Sequence, residues 1–168
     1  LGLFDLVWAR FLLEYHRADG FALARNLARL VRPGGTLCLI DLDYNCLSHF
    51  GLSPRLERTI LALMRGLEAE ADFDPYAGRK LYSFLYDLGF EGIEVEMSAH
   101  HLFYGALRAA DDFNWAKKLE AVRTALDFRF DEYPGGYAEF AAEFTAFFSD
   151  PRRFTYTPVI LCRGRRPV

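Results

Sequence analysis

The sequence contains no Gly-x-Gly-x-x-Gly phosphate loop, no Gly-x-Ser-x-Gly nucleophile elbow and no pair of histidines at metal-ligand spacing. His100 and His101 are adjacent, so on a strand they face opposite ways, and His16 and His49 stand apart. No apolar run approaches the ~20 residues that cross a bilayer, and Leu1-Gly2-Leu3 has neither the basic start nor the cleavage site of a secretory signal. Charge is nearly balanced, at a formal −3, and basic residues are not interleaved with aromatics, which argues against nucleic acid or an anionic membrane as partner. Cysteine is scarce and odd in number. Cys38, Cys46 and Cys162 lie in or beside apolar stretches, as expected of reduced thiols in a cytoplasmic protein. No internal repeat or low-complexity tract is present.

What remains is 168 residues, 52% of them apolar and 16% aromatic, enough for one domain with a sizeable core. The first residue is not Met and the chain opens almost at once on a buried-type strand, which reads as part of a longer protein. Phe4 to Val7 is an apolar run broken only by Asp5, too short for a helix. A helix beginning at Asp19 or Gly20 carries Leu23, Leu27, Leu30 and Val31 on one stripe, with Arg25, Arg29 and Arg32 on another. The arginines read as a solvated face in preference to an anion site. Pro33 is expected to stop that helix, and Gly34-Gly35 to turn the chain into Thr36–Asp43, apolar on both parities like a doubly covered parallel strand.

Ser53-Pro54 then caps a helix with Leu56, Ile60, Leu63, Met64 and Leu67 on its apolar face. A second helix carries Leu81, Phe84, Leu85 and Leu88 and ends at Gly89. Ile93, Val95 and Met97 alternate with polar residues, the pattern of an edge strand with one buried face. Ala106–Asp127 reads as one helix, with Leu107, Phe113 or Trp115, Leu119, Val122 and Leu126 apolar. Tyr137, Phe140, Phe144 and Phe148 form an aromatic stripe on the next, and Phe154–Arg163 is β-rich.

The segments Phe-Asp-Leu-Val-Trp-Ala-Arg-Phe-Leu-Leu-Glu-Tyr and Leu-Val-Arg-Pro-Gly-Gly-Thr-Leu-Cys-Leu-Ile-Asp resemble the fourth strand, the Arg-Pro-Gly-Gly leader and the fifth strand of class I S-adenosylmethionine-dependent methyltransferases. Gly78-Arg79-Lys80-Leu81 through Leu88-Gly89-Phe90 is similar to the family's last helix running into its sixth strand. The resemblance implies an α/β fold, a partial Rossmann-like methyltransferase sheet of parallel strands plus a C-terminal antiparallel strand lying between the second and third strands. Residues 1–168 would form a single domain, the C-terminal portion of that fold, with 105–150 as a helical cap insertion.

The family's glycine-rich cofactor loop and ribose-binding acid have no counterpart, so binding of S-adenosyl-L-methionine is expected of the intact parent and not of this chain alone. The resemblance places the backbone of Ala9, Arg10 and Phe11 beside the methionine end of the cofactor, where Arg10 either meets a carboxylate or pairs with Asp41 or Asp43. Asp41 and Asp43, two apart at the carboxyl end of a strand, are candidates to take a proton from a small-molecule acceptor, or else cap a loop. Tyr15, Tyr44, Phe103 and Trp115 are the aromatic candidates for holding that acceptor. Two functions stay open: the C-terminal portion of a methyltransferase acting on a small molecule, inactive as this piece, or a non-catalytic module for ligand binding or self-association. An apolar edge at Phe4–Ala9 further predicts a homodimer.

Overall fold

The computed structural model describes residues 2–168, apart from the side chains of Val122 and Ala125. The expected burial of Val122 therefore lies outside the described residues. The chain divides into two compact units, one formed by Leu1–Asn45, Asp72–His100 and Pro158–Val168, the other by Cys46–Ala71 and His101–Thr157. The segment 105–150 falls in the second.

The first unit is built on a parallel pair. Strand β1 (Phe4–Arg10) lies beside β2 (Val31–Leu42) with Trp8 opposite Cys38 and Ala9 opposite Leu39. Helix α1 (Gly20–Arg29) makes the crossover between them, as parallel pairing requires. Strand β5 (Phe154–Arg165) runs antiparallel to β2, Leu39 opposite Cys162, so the expected C-terminal strand is present in the expected orientation. Strand β4 (Glu91–Phe103) also pairs with β5. Cys38 and Cys162 are neighbours on adjacent strands and both are free thiols. The core of this unit joins Val7, Leu37 and Leu39 of the sheet to Ala24 and Ala28 of α1 and to Leu81 and Leu85 of α3 (Leu81–Asp87).

Three expectations are refined or corrected here. The stripe of Leu23, Leu27 and Leu30 packs half-buried against the core, with Val31 fully buried, but the most buried side chains of α1 itself are Ala24 and Ala28. Small side chains let the helix approach the sheet closely, a preference that a stripe of leucines does not reveal. The helix ends at Arg29 and its stop is not Pro33, which lies inside the irregular first part of β2. There the register jumps from Phe4 opposite Val31 to Leu6 opposite Thr36. The extra residues on β2 include Pro33, which tolerates the missing ladder bond, and Gly34 at φ 76°. A Cβ on Gly35 would come within 3.0 Å of the Asp5 carbonyl oxygen, so only glycine fits the turn.

The third correction concerns β4. Ile93, Val95 and Met97 alternate as read, yet the expected inner face is wet, with Met97 73% exposed. On β1, Leu6 and Trp8 are exposed as well. One face of this sheet carries α1 and α3, while Trp8, Ile40, Met97 and Leu161 line an open groove.

The second unit is helical. Ser53 caps α2 (Pro54–Glu70), its Oγ accepting from the Leu56 N–H at 3.2 Å, with Pro54 in the first turn as expected. With α4 (Ala109–Ala125) and α5 (Gly136–Ser149) it encloses a core of Leu56, Ile60, Trp115, Phe140, Phe144 and Phe148. The helix α4 is shorter than the 106–127 span read from the sequence, and of its two alternative anchors Trp115 is buried while Phe113 is exposed. Two residues, His49–Phe50 (β3), pair with the start of β5 in this unit. Arg55 ties α2 to α5 through Glu139 at 2.8 Å and Glu143 at 2.6 Å.

Candidate functional site

In an open α/β sheet the ligand rim lies beyond the carboxyl ends of the parallel strands. Here that rim is organised by Asp41. Its carboxylate is 1% exposed and accepts the backbone N–H of Leu13 at 2.8 Å, of Glu14 at 3.3 Å and of Leu42 at 3.0 Å. Asp41 thereby anchors the single helical turn Leu13–Tyr15 that follows β1. Burial pushes its pKa above the usual carboxylate value, with the backbone N–H groups pulling the other way. The turn is also held by the Phe11 N–H, which donates to the Ile40 carbonyl at 2.9 Å. Phe11 sits at φ 53°, in the left-handed region that side chains seldom adopt.

Arg10 leaves the strand beside it with its guanidinium 4.4 Å from the Phe11 ring centroid. The alternative partner foreseen for it, Asp43, is occupied by Arg79, whose Nε and Nη2 donate to the two carboxylate oxygens at 2.8 and 2.9 Å. The same guanidinium lies 4.6 Å from the Tyr44 ring and 4.7 Å from the Tyr76 ring, and its ion pair with Asp43 raises its pKa further. Tyr44 itself is half-exposed, at φ 50°. Beneath it the buried Glu14 accepts from the Asn45 side-chain amide at 2.8 Å, and Lys80 pairs with Asp74. Tyr15 is exposed and meets Phe73 at 5.9 Å.

Ala9, Arg10, Phe11, Tyr15, Asp41, Asp43 and Tyr44 therefore all belong to one unit and surround one rim. Phe103 and Trp115 belong to the other. There Trp115 stacks on Phe148 at 4.2 Å and meets Phe103 at 6.2 Å. Trp115 also borders a small apolar cavity of about 40 Å³ with Cys46, His49, Lys118 and Phe144. The Lys118 ammonium stands 4.4 Å from the Trp115 ring and 3.6 Å from Cys46 Sγ. His49 Nε2 lies 3.0 Å from the Cys46 carbonyl oxygen, which can only accept, so that nitrogen carries the proton and Nδ1 accepts from Thr155 Oγ1 at 2.9 Å. Burial pushes the His49 pKa down to about 4, with the Lys118 charge acting in the same sense.

The sequence reading missed Arg79, Glu14, His49 and Lys118. Arg79 was visible only as part of a family-like Gly-Arg-Lys segment, and nothing local marks its partner 36 residues away. Glu14 had no signal of its own, because a carboxylate buried by a turn looks in sequence like any surface acid.

Two outcomes are expected. Asp41→Ala strands backbone N–H groups and lowers the unfolding free energy by about 1–3 kcal/mol in urea titration; no loss would deny Asp41 its anchoring role. The neutral His49 is favoured by the fold, whereas the unfolded chain takes up a proton near pH 6.5. Its contribution is complete above that pH and is lost as pH falls through about 4. Over that window the wild type loses on the order of 3 kcal/mol more stability than His49→Gln; equal losses would contradict this.

No family model matches the sequence. The chain is 35% identical over 83 residues to methyltransferase str2 of Strobilurus tenacellus and 31% identical over 85 residues to methyltransferase str3 of the same fungus. The matched stretch is 49% and 50% of this chain respectively, and 30% of each relative's length. Among solved structures, phosphoethanolamine N-methyltransferase 2 of Haemonchus contortus, bound to phosphomonomethylethanolamine and S-adenosylhomocysteine, covers 98% of the chain. This alignment takes in 34% of that protein, at 15% identity and a TM-score of 0.43. A methyltransferase of Archaeoglobus fulgidus covers 96% of the chain and 60% of its own length, at 11% identity and a TM-score of 0.41. Neither reaches a TM-score of 0.5. The strand–helix–Pro-Gly-Gly–strand motif and the parallel pair it forms thus stand beside a similarity, over about half of the chain, to two fungal methyltransferases.

Proposed function

We propose that these residues form the C-terminal, acceptor-side part of a longer S-adenosylmethionine-dependent methyltransferase acting on a small molecule. The observation that carries this reading is the parallel β1–β2 pair, with Arg10 opposite Ile40 at its carboxyl end and an anchored turn beyond it. The residues present fit one wall of a cofactor site. Ala9, Arg10 and Phe11 would lie along the cofactor's methionine end, and the bound cofactor would supply the methyl group.

The described residues do not make the rest of such a site. The glycines that close backbone approach demands, Gly35 and Gly78, are filled by the chain itself. A Cβ on Gly78 would stand 3.0 Å from the Leu42 carbonyl oxygen. The chain's own contribution is therefore placement. Asp41 holds the turn, and the Asp43–Arg79 pair steadies Tyr44 and Tyr76 at the rim. Methyl transfer from a sulfonium depends chiefly on in-line orientation of acceptor and departing sulfur, so a rigid rim is a useful contribution without a free general base.

Calorimetric titration of S-adenosylmethionine gives no saturable heat with the 168-residue chain and a one-site isotherm with the complete methyltransferase that carries it. Absence of heat from the complete protein would favour a non-catalytic ligand-binding or self-association module. Strand β1 has a described partner on one side only, with Leu6 and Trp8 exposed, and in isolation that edge is proposed to pair with a second copy. Light scattering of the 168-residue chain is expected to give the mass of a dimer, and a monomer would refute the pairing.

A further inference from the structure

Arg153 lies in the turn between α5 and β5 and is 2% exposed. Its Nη1 donates to the carbonyl oxygens of Gly105, at 2.9 Å, and Asp150, at 3.4 Å. Its Nε and Nη2 are out of contact with solvent and have no hydrogen-bond partner among the described residues. The carboxylate nearest in sequence is already taken. Asp150 accepts from Arg152 at the backbone N–H (2.9 Å), at Nε (3.0 Å) and at Nη2 (2.8 Å). Burial lowers the pKa of Arg153 from the ordinary arginine value, opposed by the Asp150 charge, but a guanidinium stays charged in any accessible pH range.

A buried cation with two unfilled donors is costly, and buried polar groups are as a rule satisfied. The chemistry of the missing acceptor follows from which atoms are free. Nε–H and the adjacent Nη2–H lie along one edge of the planar group and match the two oxygens of a carboxylate. This chain uses that edge the same way elsewhere. Arg58 holds Glu132 through Nε and Nη2 at 2.7 Å each, and Arg79 holds Asp43 at 2.8 and 2.9 Å. Arg152 presents the same edge to Asp150. On Arg153 the edge is fixed from behind by the two carbonyls on Nη1, with the Phe148 ring centroid 5.8 Å from the guanidinium as an apolar neighbour.

We propose that the Nε/Nη2 edge of Arg153 is a binding site for the carboxylate of a small acid. The carboxylate accepts both N–H groups in the guanidinium plane, giving the two unfilled donors the acceptors that no described residue supplies. This site stands on its own geometry, independent of any role of the chain in methyl transfer.

The closed surroundings call for small probes. Sodium acetate, exchanged for sodium chloride at constant ionic strength, is titrated into the ¹⁵N-labelled 168-residue chain while the arginine Nε–H resonances are followed. The Arg153 signal is identified as the one lost in Arg153→Lys, or by side-chain triple-resonance assignment of the wild type should that variant not fold. The expected result is a saturable shift of the Arg153 resonance with acetate and none with acetamide, which has the same shape without the charge. Acetate is likewise expected to raise the thermal midpoint of the wild type and leave that of Arg153→Met unmoved. The absence of a saturable shift, an equal response to acetamide, or a response to sulfate alone would overturn the proposal.

Discussion

A carboxylate buried at the end of a strand has to be answered by donors, and in the first unit the answer to Asp41 is the backbone that follows β1. That one acceptor fixes where the chain goes after leaving the sheet. It sets the single helical turn at Leu13–Tyr15, which in turn offers the Glu14 carbonyl oxygen to the Asp74 N–H at 2.7 Å. The buried Glu14 side chain then reaches Asn45, and the Asn45 N–H reaches the Pro75 carbonyl at 3.1 Å. Three segments distant in sequence are joined by donors and acceptors whose alternatives in water have been removed. Each is worth little in solution and more in a low-dielectric interior, where leaving any one unmade carries the full desolvation cost.

The rim built this way is rigid through polar contacts, whereas the helical unit is rigid through ring contacts. Trp115, Phe144 and Phe148 meet at 4.2–5.8 Å, and Phe140 continues the series to Phe144 at 5.9 Å. Offset and tilted rings of this kind add to their area burial through quadrupole geometry, and they leave little room for repacking. His49 is placed among the same rings, 5.6 Å from Phe147 and 5.9 Å from Phe148. Its neutral state is therefore a property of the aromatic core around it.

Much of this architecture was legible in the sequence, and the parts that were not fail for identifiable reasons. The β1–α1–β2 crossover could be read because strand length, helical period and turn glycines all agree there. The Ser53-Pro54 start of α2 was equally legible, since capping chemistry is local. The face of β4 was misread because alternation tells which residues share a side, and Val95 and Met97 do share one. It cannot tell whether another element covers that side. Pro33 was misplaced because a proline looks the same whether it stops a helix or occupies a break in strand pairing. At the rim, strand geometry puts Arg10, Asp41 and Asp43 in one unit at the carboxyl end of the parallel pair. The partners of Asp41 and Asp43 depended on Leu13, Glu14 and Arg79, which only the tertiary structure brings to them.

The two tryptophans divide between the two units, Trp8 on the open face of the sheet at 56% exposed and Trp115 in the aromatic core at 4%. An exposed indole emits at longer wavelength than one held among phenylalanines, so the intrinsic emission of the folded 168-residue chain is a sum of two bands, one from each tryptophan. The red side reports on events at the sheet and is open to aqueous quenchers. The blue side reports on the helical interior and is shielded from them. A single untagged sample thus carries an optical reporter for each half of the molecule.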